Sequence, residues 1–265
     1  MKKLVKTALG AAGLELRRRP DPQLPFPHEI EVDGETRSFW IANSQTKEWW
    51  GSAELEMNSE FRELTRLCSP GSTVLEVGAH HGMMTLLLSR CAGPEGHVLA
   101  IEASADNVLV LEANCFRNRV SNVSTHFLAC GANDGLAQFG GESLAAASGT
   151  RRTVKMQTVD NFCAEQNLQH VDLLKVDVEG FEHDVFAGAS DLLRQGRPKI
   201  ALELHVDLLR EAGSSAKQVW AILESADLLN DRPIHMLARP DWNTLKPIER
   251  FEEIPNSGVA NLFIG

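Results

Sequence analysis

From Thr73 onward, five apolar runs alternate with helical segments, and this pattern limits the fold more than any other feature of the chain. The runs are "TVLEVGA" (73–79), "HVLAIEA" (97–103), "VSTHFLACGA" (123–132), "VDLLKVDVEG" (171–180) and "KIALELH" (199–205). After the fourth, Phe181, Val185, Phe186, Ala189, Leu192 and Leu193 fall on one helical face, and "KQVWAILESA" does the same after the fifth. Apolar strands joined by helical crossovers form a parallel sheet covered on both faces. The expected class is therefore α/β, a doubly wound, mostly parallel sheet. "HMLARP" and the terminal "VANLFIG" are candidate late strands. "LAQFGGESLAAASGTRRTVKMQTVDNF" breaks the alternation and reads as an inserted loop or hairpin ending at Asp160.

Residues 1–60 read as an N-terminal extension and residues 61–265 as the main domain. The extension opens with a basic amphipathic helix, "MKKLVKTALGAAGLEL". The segment "RRRPDPQLPFPHE" follows, its four prolines making an extended connector. "EIEVDGETRSFWI" then reads as a hairpin turning at Asp33-Gly34. "NSEFRELTRLCSPG" is helical, with Phe61, Leu64, Leu67 and Cys68 on one face, and Pro70-Gly71 ends it.

Composition excludes some functions. A net charge of −10 argues against a nucleic-acid-gripping protein, which needs a basic face. The five cysteines are scattered singly, without a Cys-x-x-Cys pair, as in reduced thiols of a cytoplasmic protein. No apolar run approaches the roughly 18–20 residues that span a bilayer. Lys6 and Thr7 interrupt the N-terminal apolar stretch, and three arginines stand where a signal peptide would be cleaved.

The loop after the first apolar strand, "LEVGAHHGMM", opens a helix, where glycines let the backbone approach a ligand. A dinucleotide fingerprint reads Gly-x-Gly-x-x-Gly; this loop reads Glu76-x-Gly78-x-x-x-Gly82, with Ala79 and His80 inside it. A carboxylate at Glu76 repels a pyrophosphate and suits a cationic group such as an ammonium. Glu102 ends the next strand, followed by Ala103, where an acid can accept from both ribose hydroxyls. An acid-glycine loop followed by a ribose-reading acid describes a site for S-adenosylmethionine. His80 and His81 are successive residues in a turn, so their side chains are expected to diverge. No third ligand lies nearby, and no residue is assigned as a metal ligand.

In a sheet ordered 3-2-1-4-5 the ligand crevice opens between the first and fourth strands, beyond their carboxyl ends. Asp177 ends the fourth, which places it beside the cofactor, and Gly180 lets the chain turn into a helix. Lys175, Asp177 and Glu179 share one side of the strand. Glu182 and His183 are expected on a solvated helix face. "ALELH" adds Glu203 and His205 to the same rim, the imidazole being a candidate base near neutral pH.

These segments resemble the FkbM-type methyltransferases, a branch of the S-adenosylmethionine-dependent Rossmann-like enzymes. The resemblance runs from about Ser69 to the C-terminus and is carried by "PGSTVLEVGAHHGMMTLLLSR", "VLAIEASADNVLVLEAN", "ACGANDG", "TVDNF", "LLKVDVEGFEHDVFAGA" and "ALELH". It implies a class I methyltransferase fold with a seven-stranded sheet, the last strand antiparallel. It also implies methyl transfer to a hydroxyl oxygen of a sugar, glycan or natural product. Glu76, Gly78 and Gly82 would surround the methionine end of the cofactor, Glu102 the ribose, and Asp177 the methyl-transfer centre. His80-His81 replace an asparagine and an aliphatic residue more usual in that family, and Ala103 replaces a proline. Asp177 or His205 could serve as base. Mg²⁺ held by Asp177 and Glu203 against a diol is left open. Two alternatives stand beside this reading: a nicotinamide-dependent oxidoreductase on a similar fold, and a non-catalytic S-adenosylmethionine-binding protein.

The first twenty residues are expected to serve location or acceptor presentation. Leu4, Val5, Ala8, Leu9 and Ala12 make one helical face flanked by lysines. Such a helix can lie on an anionic membrane, each basic residue contributing about 1 kcal/mol, or pack on the core with its basic face in water. Deleting residues 1–19 should leave cofactor affinity unchanged by calorimetry. Sedimentation with anionic vesicles, full-length against truncated, distinguishes the two uses.

Overall fold

The structure, a computed structural model, describes residues 25–32, 35–50, 59–140, 151–238 and 241–265. The basic N-terminal helix, most of the proline connector and the Asp33-Gly34 turn lie outside the described residues. The hairpin strands themselves, β1 (Phe26–Val32) and β2 (Glu35–Ile41), pair antiparallel from Phe26↔Ile41 to Val32↔Glu35. Alternation along β2 drives Phe39 and Ile41 fully into the core, roughly 1.5–3 kcal/mol of burial for each. Helices α1 (Ser44–Trp50) and α2 (Ser59–Leu67) follow. α2 buries Phe61, Leu64 and Leu67, and Cys68 just beyond it is buried as well, the face its spacing indicates.

The alternating region then builds β3 (Thr73–Val77), α3 (Met83–Ala92), β4 (His97–Glu102), α4 (Ala105–Arg117) and β5 (Val123–Phe127). The chain leaves the main sheet at Leu128. β6 (Ala129–Cys130), β7 (Gly135–Gly140) and β8 (Arg151–Gln157) form a separate small sheet in the order β6-β8-β7. The expected single strand over 123–132 is thus two strands in two sheets. The inserted segment is an antiparallel hairpin, β7 with β8, and α5 (Val159–Glu165) follows it. β9 (Leu173–Val176), α6 (Glu182–Ala187), β10 (Lys199–His205), α7 (Val206–Glu211) and α8 (Ala216–Ser225) complete the alternation. β11 (Ile234–Ala238), β12 (Asp241–Ile248) and β13 (Val259–Ile264) end the chain.

The main sheet runs β12-β11-β13-β10-β9-β3-β4-β5. Strands β10, β9, β3, β4 and β5 are mutually parallel, and β13 runs antiparallel between β10 and β11. Among the described residues this sheet has eight strands, one more than the resemblance implies. The extra one, β12, holds Pro247 and pairs only at the sheet's edge, where a residue without an N–H is tolerated. Strand alternation sorts the core into two layers. Leu75, Val77, Leu174, Val176, Leu202 and Leu204 pack under α6 and α8. Val74, Ala100, Leu173, Ala201 and Phe263 pack on the opposite face, against α2, α3 and the hairpin. The chain order reverses between β3 and β9, so the crevice opens there.

Candidate active site

The loop after β3 is fixed by backbone. Gly78 N–H and Ala79 N–H both donate to the Ile101 carbonyl, at 2.9 and 3.0 Å, and Asp177 N–H donates to the Val77 carbonyl at 2.9 Å. Gly78 adopts φ +89°, and a Cβ on it would stand 1.7 Å from the Asp177 carbonyl oxygen. The ends of β3 and β9 therefore touch main chain to main chain. Around this contact lies a cavity of about 680 Å³, open mouth included, walled by Gly78, His80, Glu102, Ala103, Asp177 and Glu179 among others.

Glu102 lies in the wall, 6% exposed. Its Oε2 accepts from His80 N–H (2.8 Å), and its Oε1 from Ser104 N–H (2.7 Å) and Asn107 Nδ2 (3.4 Å). Burial raises its carboxyl above the ordinary range, and these hydrogen bonds pull against that rise. Two oxygens carry four lone-pair sites, three of which these donors occupy, so Oε2 keeps one acceptor position for a ribose hydroxyl. Glu102→Gln is expected to weaken S-adenosylmethionine binding about 10- to 100-fold, the worth of charge-assisted hydrogen bonds. Calorimetry on the folded variant checks this, and unchanged affinity removes the ribose role.

Glu76 is placed differently from its neighbours. It is fully buried beneath the loop and does not line the cavity. Its Oε2 accepts from Thr85 Oγ1 at 2.6 Å, and the cation it faces is Lys175, whose Nζ is 3.6 Å from Oε1. The same Nζ is 3.5 Å from Asp177 Oδ2. Burial disfavours the charge on Lys175, but Asp177 and Glu76 outweigh it and hold the ammonium above its usual pKa. Glu76 thus supports Asp177 through a shared lysine. Gly82 stands behind the wall as well: a Cβ there would meet the Leu111 side chain, 2.3 Å away.

The two histidines do not diverge. His80 takes φ +49°, and this left-handed turn stacks its ring on His81 with centroids 4.1 Å apart. His80 lines the cavity and meets Trp49 at 5.4 Å. His81 is buried, and its carbonyl accepts from Asn114 Nδ2 at 2.7 Å. Asn114 Oδ1 accepts in turn from Trp40 N–H of the hairpin, also at 2.7 Å. Burial lowers His80 to about 4 despite Asp177, and lowers His81 to about 3, His80 adding to the effect. Both are neutral in the folded protein while the unfolded chain protonates near 6.5. Below that pH the unfolded state binds more protons, so stability is expected to fall as pH drops from about 6.5 toward 4. Denaturant melts across this window should show a shallower loss for His80→Asn than for the wild type.

At the other rim, Glu179 (φ +51°) and Gly180 (φ +100°) turn the chain from β9 into α6. Glu182 was expected in solvent; it is fully buried instead. Its Oε1 accepts from Gly180 N–H at 3.0 Å and pairs with His205 Nδ1 at 2.8 Å, because the sharp turn folds the helix start back under the strand. His183 is partly exposed beside Asp184, with 2.9 Å between Nδ1 and Oδ1. His205 Nε2 lies 3.5 Å from Glu203 Oε1 and 3.9 Å from Glu179 Oε1. Burial opposes protonation of His205, yet Glu182, Asp177 and Glu203 raise it to about 10. Burial, Asp177 and Glu60 raise Glu203 well above the carboxylate range. Glu60, on α2, is pushed up to about 7: burial outweighs the pull of Lys175, and Asp177 and Glu76 add to the rise.

The structure thus gathers Gly78, His80, Glu102, Ala103 and Asp177 around one cavity, sets Glu203 and His205 against its Asp177 end, and leaves Glu76 and Gly82 in support. Sequence reasoning missed Glu182, Asn114 and Glu60. For Glu182 the signal was its place two residues after the turn glycine, where a carboxylate reaches back to the glycine N–H.

A parallel sheet with one inserted antiparallel strand, and a cavity at the switch point between an acid-glycine loop and an acidic rim, define a Rossmann-like class I methyltransferase fold. The chain belongs to the FkbM methyltransferase family: the Methyltransferase FkbM domain matches residues 76–228. Methyltransferase 1 of Beauveria bassiana (strain ARSEF 2860) is 29% identical over 150 residues, 45% of this chain and 59% of that protein. The crystal structure of methyltransferase FkbM from Methylobacillus flagellatus KT matches with a TM-score of 0.50 at 15% identity, over 77% of this chain and 50% of that one. The chain therefore spans between half and three-fifths of the length of these two relatives.

Proposed function

We propose that the protein transfers a methyl group from S-adenosylmethionine to a hydroxyl oxygen of a small-molecule or glycan acceptor. The observation that carries this reading is the main-chain contact of Gly78 with Asp177, which sets Glu102 and the acidic rim around one cavity. The residues fit the cofactor. Glu102 offers the ribose an acceptor on Oε2, and Gly78 lets the ends of β3 and β9 close to main-chain contact beside it. S-adenosylmethionine, when bound, supplies an electrophilic methyl on a sulfonium; the acceptor oxygen bonds to that carbon as the carbon–sulfur electrons return to sulfur.

The chain's own work is to align the hydroxyl and take its proton. Both ring nitrogens of His205 face carboxylates, which makes it a poor acceptor of that proton. Asp177 and Glu179, both in the cavity wall, are the acceptors within reach. Lys175 holds Asp177 in place from below. A cytoplasmic setting agrees with five free cysteines. Among the described residues no helix is long and apolar enough to cross a membrane.

The test is incubation with methyl-labelled cofactor and a pool of glycans and hydroxylated natural products, followed by mass spectrometry. A labelled methyl ether is the expected product. Tight cofactor binding with no labelled product from any pool favours the non-catalytic alternative, and binding of NAD in its place favours an oxidoreductase.

A further inference from the structure

Asp177, Glu203 and Asn261 form one row across the sheet. The pairings Glu76↔Lys175, Lys175↔Ala201 and Ala201↔Phe263 set a first row on the face covered by α2 and α3. Two residues further along each strand, on the same face, stand Gly78, Asp177, Glu203 and Asn261, with Glu203 directly opposite Asn261. His205 is two residues beyond Glu203. Donor atoms of Asp177, Glu203 and His205 all lie within 4.8 Å of one another.

Two further observations separate this row from an ordinary acidic rim. Asn261 is 3% exposed, and its Oδ1 has no hydrogen-bond partner among the described residues. A buried, orphaned acceptor beside a carboxylate is unfavourable unless a cation or donor completes it. The second is the orientation of His205. Glu182, fully buried, takes Nδ1 at 2.8 Å and leaves Nε2 facing the carboxylates, the arrangement in which a carboxylate fixes a metal-ligating imidazole.

We propose that this row holds one divalent metal ion, ligated by the carboxylates of Asp177 and Glu203 and by His205 Nε2, with Asn261 Oδ1 as the adjoining oxygen donor. Two carboxylates, an amide oxygen and one imidazole suit a six-coordinate ion of the Mn²⁺ kind. Asp177 is the ligand that lines the cavity, and an open position on its side would take the acceptor's oxygen. This role rests on the methyl-transfer reading; the binding of the ion does not. With Asp177 engaged as a ligand, the hydroxyl proton passes to the Glu179 carboxylate as the oxygen–carbon bond forms and the carbon–sulfur bond breaks.

The test uses the full-length protein and Mn²⁺ alone, with free ion followed by electron paramagnetic resonance. One bound Mn²⁺ per chain is expected. Glu203→Gln and Asp177→Asn should each weaken it at least ~10-fold, and Glu182→Leu by ~10–100-fold through loss of imidazole orientation. Thermal melts establish which variants are folded, and either ligand variant alone decides the matter. No bound Mn²⁺ in the wild type, or undiminished binding in a folded ligand variant, overturns the site. Calorimetry with S-adenosylmethionine on the same samples keeps the two readings apart. Cofactor binding without Mn²⁺ sinks the metal site alone. Mn²⁺ bound in the row without cofactor binding supports the site and sinks methyl transfer.

Discussion

Gly78→Ala is expected to lower stability by about 4 kcal/mol or more, and to abolish cofactor binding with it. The added methyl would sit 1.7 Å from the Asp177 carbonyl oxygen, which is main chain and cannot rotate away. The ends of β3 and β9 must therefore part, breaking the Asp177 N–H to Val77 hydrogen bond and the seat of the cavity. The backbone is also left-handed there, which costs roughly 1–2 kcal/mol for any residue with a side chain. For a domain of this size, ~4 kcal/mol is a drop in melting temperature of about 8–16 °C. The control is Gly71→Ala. Gly71 has nearly the same φ, +83°, but nothing within 4 Å of an added Cβ, so only the backbone cost applies. Equal shifts for the two variants would show that close approach is not what requires glycine at position 78.

The second large effect is on turnover. Asp177→Asn keeps the shape of the side chain and removes the charge at the reacting end of the cavity, and a loss of about 10²–10⁴-fold in kcat is expected whether that carboxylate takes the proton itself or holds an ion that assists its removal. The fold should persist, because Lys175 keeps its other partner, Glu76, at 3.6 Å. Cofactor affinity should change little, since Glu102 and the Gly78 loop are untouched. Full turnover in this variant would place the chemistry elsewhere in the cavity.

Much of this arrangement was legible in the chain. The alternation of apolar runs gave five parallel strands and their order, because runs buried on both faces have few other ways to pack. It also put Glu102 and Asp177 at strand ends facing one crevice. What could not be read depended on single dihedral angles and distant partners. The His80-His81 stack follows from one left-handed φ, which a sequence with histidine there does not announce. Glu182 looked like a solvated helix residue because local periodicity says nothing of a strand 23 residues away, and His205 is what buries it. "VSTHFLACGA" reads as one strand, yet after β5 its second half joins β8. β12 escaped notice because proline and polar residues suit an edge and look like a loop. Asn261, in the late strand "VANLFIG", went unread because its significance depends on Glu203, its partner on β10.

The asparagine bridge from the His81 carbonyl to Trp40 N–H has a consequence for how the molecule answers its ligand. The side chain of Asn114, fully buried, ties the outside of the cofactor loop to the N-terminal hairpin, and Asn118 adds a second tie through both main-chain groups of Ser38. Undocking the hairpin thus strips the loop of one of its supports. By thermodynamic reciprocity, whatever steadies the loop from the cavity side also holds the hairpin down, and by the same factor. Occupancy should accordingly be readable far from the cavity, as slower amide exchange at Ser38 and Trp40 and slower proteolytic cutting around the hairpin.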